Sequence, residues 1–293
     1  MMATNYSKNQ TVGGYRLVSL LGIGCSGEVW AAIDGKSGHL AALKLYRDRA
    51  AARQAEHEYS AARRFRHPRI LRPVEMIVHE DCPVIVLPYC PGRSVDGVAG
   101  YMSELQIWHL LRDIAGALDE LHENGMGHFD VKPSNILWDG SDFLLSDFGS
   151  CRAVSDAEDR PVADDESSFR FDAPEVSRGE RTVAGDIWSL GATVFCLYMG
   201  TFVFNGLGGR AQRPDSPIPC MRKSLVALSE LVCRCLRYAP SQRPSAREII
   251  EVAEMNIGRC MAEKPVRRPQ LVSVRQGSSD GTGDYWPETM NDK

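Results

Sequence analysis

The segment His128-Phe129-Asp130-Val131-Lys132-Pro133-Ser134-Asn135 constrains this chain more than any other. It lies just after a stretch, Gln106 to His122, that sets Ile107, Leu110, Leu111, Ile114, Leu118 and Leu121 on one helical face. A buried helix therefore delivers a polar segment rich in chemistry. Asp130 is a carboxylate that can accept a proton from an attacking hydroxyl. Asn135 offers an amide oxygen of the kind a hard cation prefers. Lys132 can balance charge on a transferring group. Twelve residues after Asn135 comes Asp147-Phe148-Gly149, where Asp147 supplies a second carboxylate for a metal. A lone Asp is most often a cap or a turn residue, but these groups in this order do not arise by chance.

The rest of the chain divides by character. Tyr15 to Val29, His39 to Tyr46, Ile70 to Val78 and Val84 to Leu87 read as strands, with one helix over Ala50 to Phe65 stopped by His67-Pro68. The later part reads as helices over Gln106 to His122, Asp186 to Met199, Leu225 to Arg237 and Ser245 to Glu254, the last capped by Ser245. With 43% hydrophobic residues in 293, the chain can bury a sizeable core.

Gly22-Ile23-Gly24-Cys25-Ser26-Gly27-Glu28-Val29 fits G-x-G-x-x-G-x-V, in which glycines let the backbone approach phosphate oxygens. A dinucleotide-binding turn would lead straight into a helix, whereas Val29 to Ile33 continues as a strand. Lys44, on the next strand, can neutralise phosphates beneath this flap. A carboxylate on the following helix would steady it, and Glu56 and Glu58 are both candidates.

Taken together, these motifs resemble the eukaryotic-type (Hanks-type) protein kinase family, Ser/Thr branch, from about Tyr15 to Ala253. Ala173-Pro174-Glu175, Asp186-Ile187-Trp188-Ser189-Leu190-Gly191 and Arg243, the expected partner of Glu175, carry the resemblance onward. It implies an α+β bilobal fold, with a small, mainly antiparallel β N-lobe holding one key helix and a larger, mainly α-helical C-lobe. The implied boundaries are a flexible lead-in at 1–14, a kinase domain at 15–255 (lobes 15–88 and 91–255) and a loosely packed tail at 256–293. ATP would lie between the lobes. Gly22, Ile23, Gly24, Cys25, Ser26, Gly27 and Val29 would cover it, Ala42 and Leu137 would sandwich the adenine, and Leu87 would be the gatekeeper. Pro88 C=O and Cys90 N–H would face the adenine edge. Lys44 would hold phosphates, oriented by Glu58, whose distance to His67-Pro68 matches the helix length usual in the family, and Asn135 and Asp147 would hold Mg2+, with Mn2+ as the alternative ion. Asp130 would be the catalytic base, with Lys132 beside it and Ser168 bonding both. Lys132 and Ser168 imply transfer to Ser or Thr of protein substrates. All five reactive positions are present, against a silent scaffold, and Ala173-Pro174-Glu175 with Arg243 argues against a small-molecule phosphotransferase.

Departures from the family pattern generate further expectations. Phe129 replaces an arginine that receives a phosphorylated activation loop in many members, so activity should not need that phosphorylation. Ala62 stands where a larger apolar residue links the helix of Glu58 to Phe148, which should loosen packing or call for an activating partner. Ser26, in place of an aromatic residue, should loosen the flap. The net charge of −4 gives no push toward nucleic acid or an acidic membrane, and no apolar run approaches the roughly 20 residues of a bilayer span. Met1 to Gln10 lacks an apolar leader core, and the nine scattered cysteines read as free thiols, so the expected location is cytoplasmic.

Overall fold

Strand pairing organises the first 90 residues. In this computed structural model, residues 6–24, 26–155, 169–219, 221 and 226–263 are described; Cys25 and Ser168, like the tail beyond 263, lie outside them. Six antiparallel strands, β1 (Thr11–Val12), β2 (Tyr15–Ile23), β3 (Gly27–Asp34), β4 (Leu40–Tyr46), β5 (Glu75–His79) and β6 (Cys82–Pro88), form a sheet in the order β1-β2-β3-β4-β6-β5. The two-residue alternation sorts β4 cleanly. Ala41, Leu43 and Leu45 join Leu17, Trp30 and Val84 in one apolar layer. Lys44 and Tyr46 point to the other face, where Tyr46 packs with Ala55 of helix α1 (Ala52–Arg64). Gly27 is fixed by backbone proximity, since a Cβ there would stand 1.9 Å from the Leu45 carbonyl oxygen.

Two expectations fail here. The lead-in is not loose throughout, because Thr11 and Val12 pair with Arg16 and Tyr15, and Val12 is fully buried. The strand expected over Ile70 to Val78 begins only at Glu75. Pro73 has no N–H to donate, and the residues before it bond elsewhere: Leu71 N–H donates to Leu145 O (2.9 Å), and Leu145 N–H to Arg69 O (2.8 Å). Those two bonds stitch the first lobe to the second.

The second lobe is built on α2 (Glu104–Glu123), α3 (Val183–Met199), α4 (Val226–Cys235) and α5 (Ala246–Glu263). A reciprocal cap starts α2: Ser103 Oγ accepts from Gln106 N–H and Gln106 Oε1 from Ser103 N–H. Its six aliphatic residues named above are all fully buried. Each contributes about 1.5–3 kcal/mol of burial against about 1 kcal/mol for a cap, so packing decides the helix and the cap only sets where it begins. The helix expected to stop at Glu254 continues to Glu263. Ile249, Ala253 and Ile257, spaced by four, extend its buried face past the predicted end, so residues 256–263 belong to the folded lobe and not to a tail. Ser245 caps this helix with Glu248 as expected.

Glu175 and Arg243 form a two-pronged ion pair, Nη1–Oε1 2.6 Å and Nη2–Oε2 2.7 Å, with both side chains wholly buried. Arg243 also donates to the carbonyls of Arg237, Tyr238 and Ala184, so the guanidinium is fully satisfied. Removing one partner strands the other charge in the core, which costs about 3–5 kcal/mol. Arg243→Leu should therefore lower stability by about that much in urea unfolding, while Arg247→Leu, whose own side chain is exposed, should stay within about 1 kcal/mol.

Candidate active site

The sheet, α1 and the second lobe meet at Lys44. Its Nζ lies 2.7 and 2.6 Å from the two Glu58 carboxylate oxygens and 3.2 Å from Asp147 Oδ1. Burial alone would pull the ammonium pKa down, but Asp147 and Glu58 outweigh it and hold it above its ordinary value. Lys44 is therefore a fixed cation. Of the two glutamates on α1, Glu58 is buried and meets Lys44 while Glu56 is exposed. Tyr46 was not singled out from the sequence. Its hydroxyl donates to Glu58 Oε2 at 2.5 Å, and burial followed by the Glu58 charge holds its own pKa far above normal. The signal was available: Tyr46 is two residues from Lys44 on one strand face.

A buried aspartate shapes the loop that carries Asp130. Asp186, in the first turn of α3, accepts from His128 N–H (2.8 Å), Phe129 N–H (2.7 Å) and His122 Nε2 (3.0 Å). These bonds hold Phe129 at a φ of +61°, a conformation unfavourable for a residue with a Cβ. Asp130 Oδ2 then lies 3.1 Å from Lys132 Nζ and 2.9 Å from Asn135 Nδ2, which also donates to Asp130 O (2.8 Å). Because Asn135 donates through Nδ2, its Oδ1 is left to accept a cation. Asp147 also has a positive φ, +61°, and its side chain is 42% exposed. Desolvation would raise its carboxyl, but Lys44 overrides that and holds it below the usual range. A half-exposed carboxylate oxygen and an amide oxygen suit a hard cation. No cluster of three or more His, Cys, Asp or Glu fit for a metal occurs among the described residues.

Leu87, Cys90 and Leu137 lie in one apolar cluster with Leu71 and Leu144, and Ala42 pairs with Leu87 across β4 and β6. Pro88 ends β6. In the flap, Cβ atoms on Gly22 and Gly24 would meet nothing, so Ile23 and Val29 are presented on an open hairpin. Ser26 ties the flap to its surroundings: its hydroxyl accepts from Gln54 Nε2 (2.9 Å), and Arg47 Nη2 reaches Gly24 O (2.9 Å). The serine thus supplies a polar tether where an aromatic contact is missing. Ala62 is buried beside a cavity of about 20 Å³ bounded also by Pro73, Leu87 and Phe148, enough for a single water. A cavity of about 330 Å³ bounded by Pro214, Cys233 and Tyr238 lies apart from this cluster and shares no residue with it.

The family model for the protein kinase domain matches residues 15–253. This chain belongs to that family. Among relatives, the kinase domain is 29% identical over 260 residues to serine/threonine-protein kinase STK11 of Rattus norvegicus, covering 81% of this chain and 59% of that protein. It is 34% identical over 193 residues to serine/threonine-protein kinase PknD of Mycobacterium tuberculosis, covering 61% of this chain and 28% of that one. The chain thus spans at most about three-fifths of the length of these relatives. The solved kinase domain of M. tuberculosis PknI superimposes with a TM-score of 0.65 and 25% identity, covering 86% of this chain and 99% of that chain. The fold is therefore the bilobal protein kinase fold. No helix among the described residues is long and apolar enough to cross a membrane.

Two buried cysteines beside the cleft offer a direct check on the site's polarity. Burial, then Asp139, pushes the Cys90 thiol up to about 11, and burial, then Asp186, pushes Cys151 up to about 12. At pH 8 their thiolate fractions fall about a hundred-fold or more below that of an ordinary thiol. In timed alkylation with N-ethylmaleimide read by mass spectrometry, both should label far more slowly than the part-exposed Cys82, Cys233 and Cys260.

Proposed function

We propose that this chain is a serine/threonine protein kinase that transfers the γ-phosphoryl group of ATP, with Mg2+, to protein substrates. The observation that carries this reading is the pairing of a fixed cation, Lys44 between Glu58 and Asp147, with a carboxylate, Asp130, braced by Lys132 and Asn135. The names of the serine/threonine kinases it resembles support it.

In this reading Asp130 orients the substrate hydroxyl and takes its proton as the oxygen attacks the γ-phosphorus and the bond to the departing ADP breaks. Lys132 stabilises charge on the phosphoryl oxygens, and Lys44, kept in place by Glu58 and Tyr46, holds the α- and β-phosphates. Asn135 Oδ1 and the free oxygen of Asp147 would hold the divalent ion, which when bound neutralises the phosphate charge. The flap residues Gly22, Ile23, Gly24, Cys25, Ser26, Gly27 and Val29 cover the nucleotide. Ala42, Leu87, Pro88, Cys90 and Leu137 form the adenine seat. Ser168 lies outside the described residues, and its bond to Asp130 and Lys132 stands as part of the same proposal.

Independence from activation-loop phosphorylation belongs to it too. Phe129 has no N–H fork to receive a phosphate, and its ring is already packed, against Gly127 and 5.6 Å from the Arg181 guanidinium. Removing a positioned acid or base commonly costs 10²–10⁴-fold in rate. With Mg-ATP and a mixed peptide library, the native chain should phosphorylate serine or threonine, before and after phosphatase treatment alike. Asp130→Asn and Asp147→Asn should each lose at least about a hundred-fold. Product confined to tyrosine, or variants as fast as the native chain, would contradict the assignment.

A further inference from the structure

Three guanidiniums on the loops around Asp172 have no carboxylate at ion-pair distance among the described residues. Arg170 lies 4.8 Å over the Phe202 ring and Arg210 lies 4.7 Å over the Phe169 ring. Arg181 stacks on Phe129, and its Nη1 reaches only the Phe129 carbonyl, at 3.5 Å. None of the three forms an ion pair among the described residues. An aromatic face steadies a guanidinium without consuming its in-plane N–H donors. Each side chain is therefore held while its fork stays open.

The backbone packs together the loops that carry two of these arginines. Gly209 N–H donates to Asp172 O at 2.8 Å, and a Cβ on Gly208 would fall 2.4 Å from Phe169 O, so the loop bearing Arg210 lies directly on the loop bearing Arg170. Asp172 shows how close this surface is to the reaction. Its carboxyl, raised to about 6 first by burial, also feels Arg181, Asp130, Arg210 and Lys132. Among the described residues Asp172 faces two guanidiniums, Arg181 and Arg210, and it makes no hydrogen bond through its side chain. Among these groups the cations Arg181, Arg210 and Lys132 outnumber the carboxylates Asp130 and Asp172, although the chain as a whole carries −4.

We propose that this shelf selects protein substrates carrying an anionic residue, Asp, Glu or a phosphorylated Ser or Thr, close to the phosphoacceptor. The proposal rests on the kinase reading above, since it places the phosphoacceptor at Asp130. Arginine forks match carboxylate and phosphate oxygens two at a time, and pre-stacked forks lose little entropy in doing so.

The test is fluorescence anisotropy with the full chain and labelled peptides of Gly and Ala around one serine, flanked by Glu, phosphoserine or Gln. Glu and phosphoserine peptides should bind about ten-fold tighter than the Gln peptide, a difference that shrinks as salt is raised to about 0.5 M. Arg170→Gln/Arg210→Gln should erase the difference and Arg170→Glu/Arg210→Glu should reverse it toward Lys-flanked peptides, both with circular dichroism unchanged. The ratio of the Glu and phosphoserine arms tells which anion the shelf reads; either preference supports it. Equal binding of Glu, phosphoserine and Gln peptides, or a preference that survives the Gln variant, would overturn it. Because binding needs no transfer, the two readings fail separately. Acidic peptides bound but never phosphorylated would sink the activity alone, and neutral peptides phosphorylated with no anionic preference in binding would sink the shelf alone.

Discussion

The ammonium of Lys44 is the group on which the rest of the structure depends. A buried cation is tolerable only when paired and hydrogen-bonded, and its partners come from three separate places: Glu58 on α1, Asp147 from the second lobe and, through Glu58, Tyr46 on its own strand. Satisfying one charge therefore requires the sheet, the helix and the second lobe to be docked together. The ion pair is less a source of net stability than a condition on geometry, because much of its attraction is spent on desolvation.

The same principle recurs at two other buried carboxylates. Asp186 holds the backbone of the Asp130 loop in a conformation that costs about 1–3 kcal/mol at Phe129. Two hydrogen bonds from N–H groups to its charge, about 1.5–3 kcal/mol each, offset that cost. Glu175, paired with Arg243, ties the Ala173-Pro174-Glu175 segment to the start of α5. Phosphoryl transfer asks for positioning of charge, and in this chain positioning is achieved by buried acids that bind cations or backbone donors.

Much of this was legible in the sequence because it depends on local spacing. The α2 stripe follows from that spacing, whereas the choice of Glu58 and the Glu175–Arg243 pair, 68 residues apart, rest on the family resemblance. What was not legible depends on pairing at a distance. Pro73 delays β5 because Leu71 bonds to Leu145 across the lobes, and the polar sequence after Glu254 hides a buried edge at Asn256 and Ile257. The Ser26 tether is likewise set by Gln54, 28 residues away, and not by its neighbours. The cationic shelf comes from loops about 40 residues apart whose arginines look like ordinary surface charge until Gly208 and Gly209 bring them together.

In the proposed function Glu58 holds Lys44 for an anionic phosphate chain. Calorimetric titration with Mg-ATP and with adenosine, on the native chain and on Glu58→Gln, measures it most directly. The variant should lose about ten-fold or more in affinity for ATP, roughly the 1.4 kcal/mol of one charge-assisted contact, while adenosine should bind both chains alike. Equal losses for ATP and adenosine, or none for either, would contradict it.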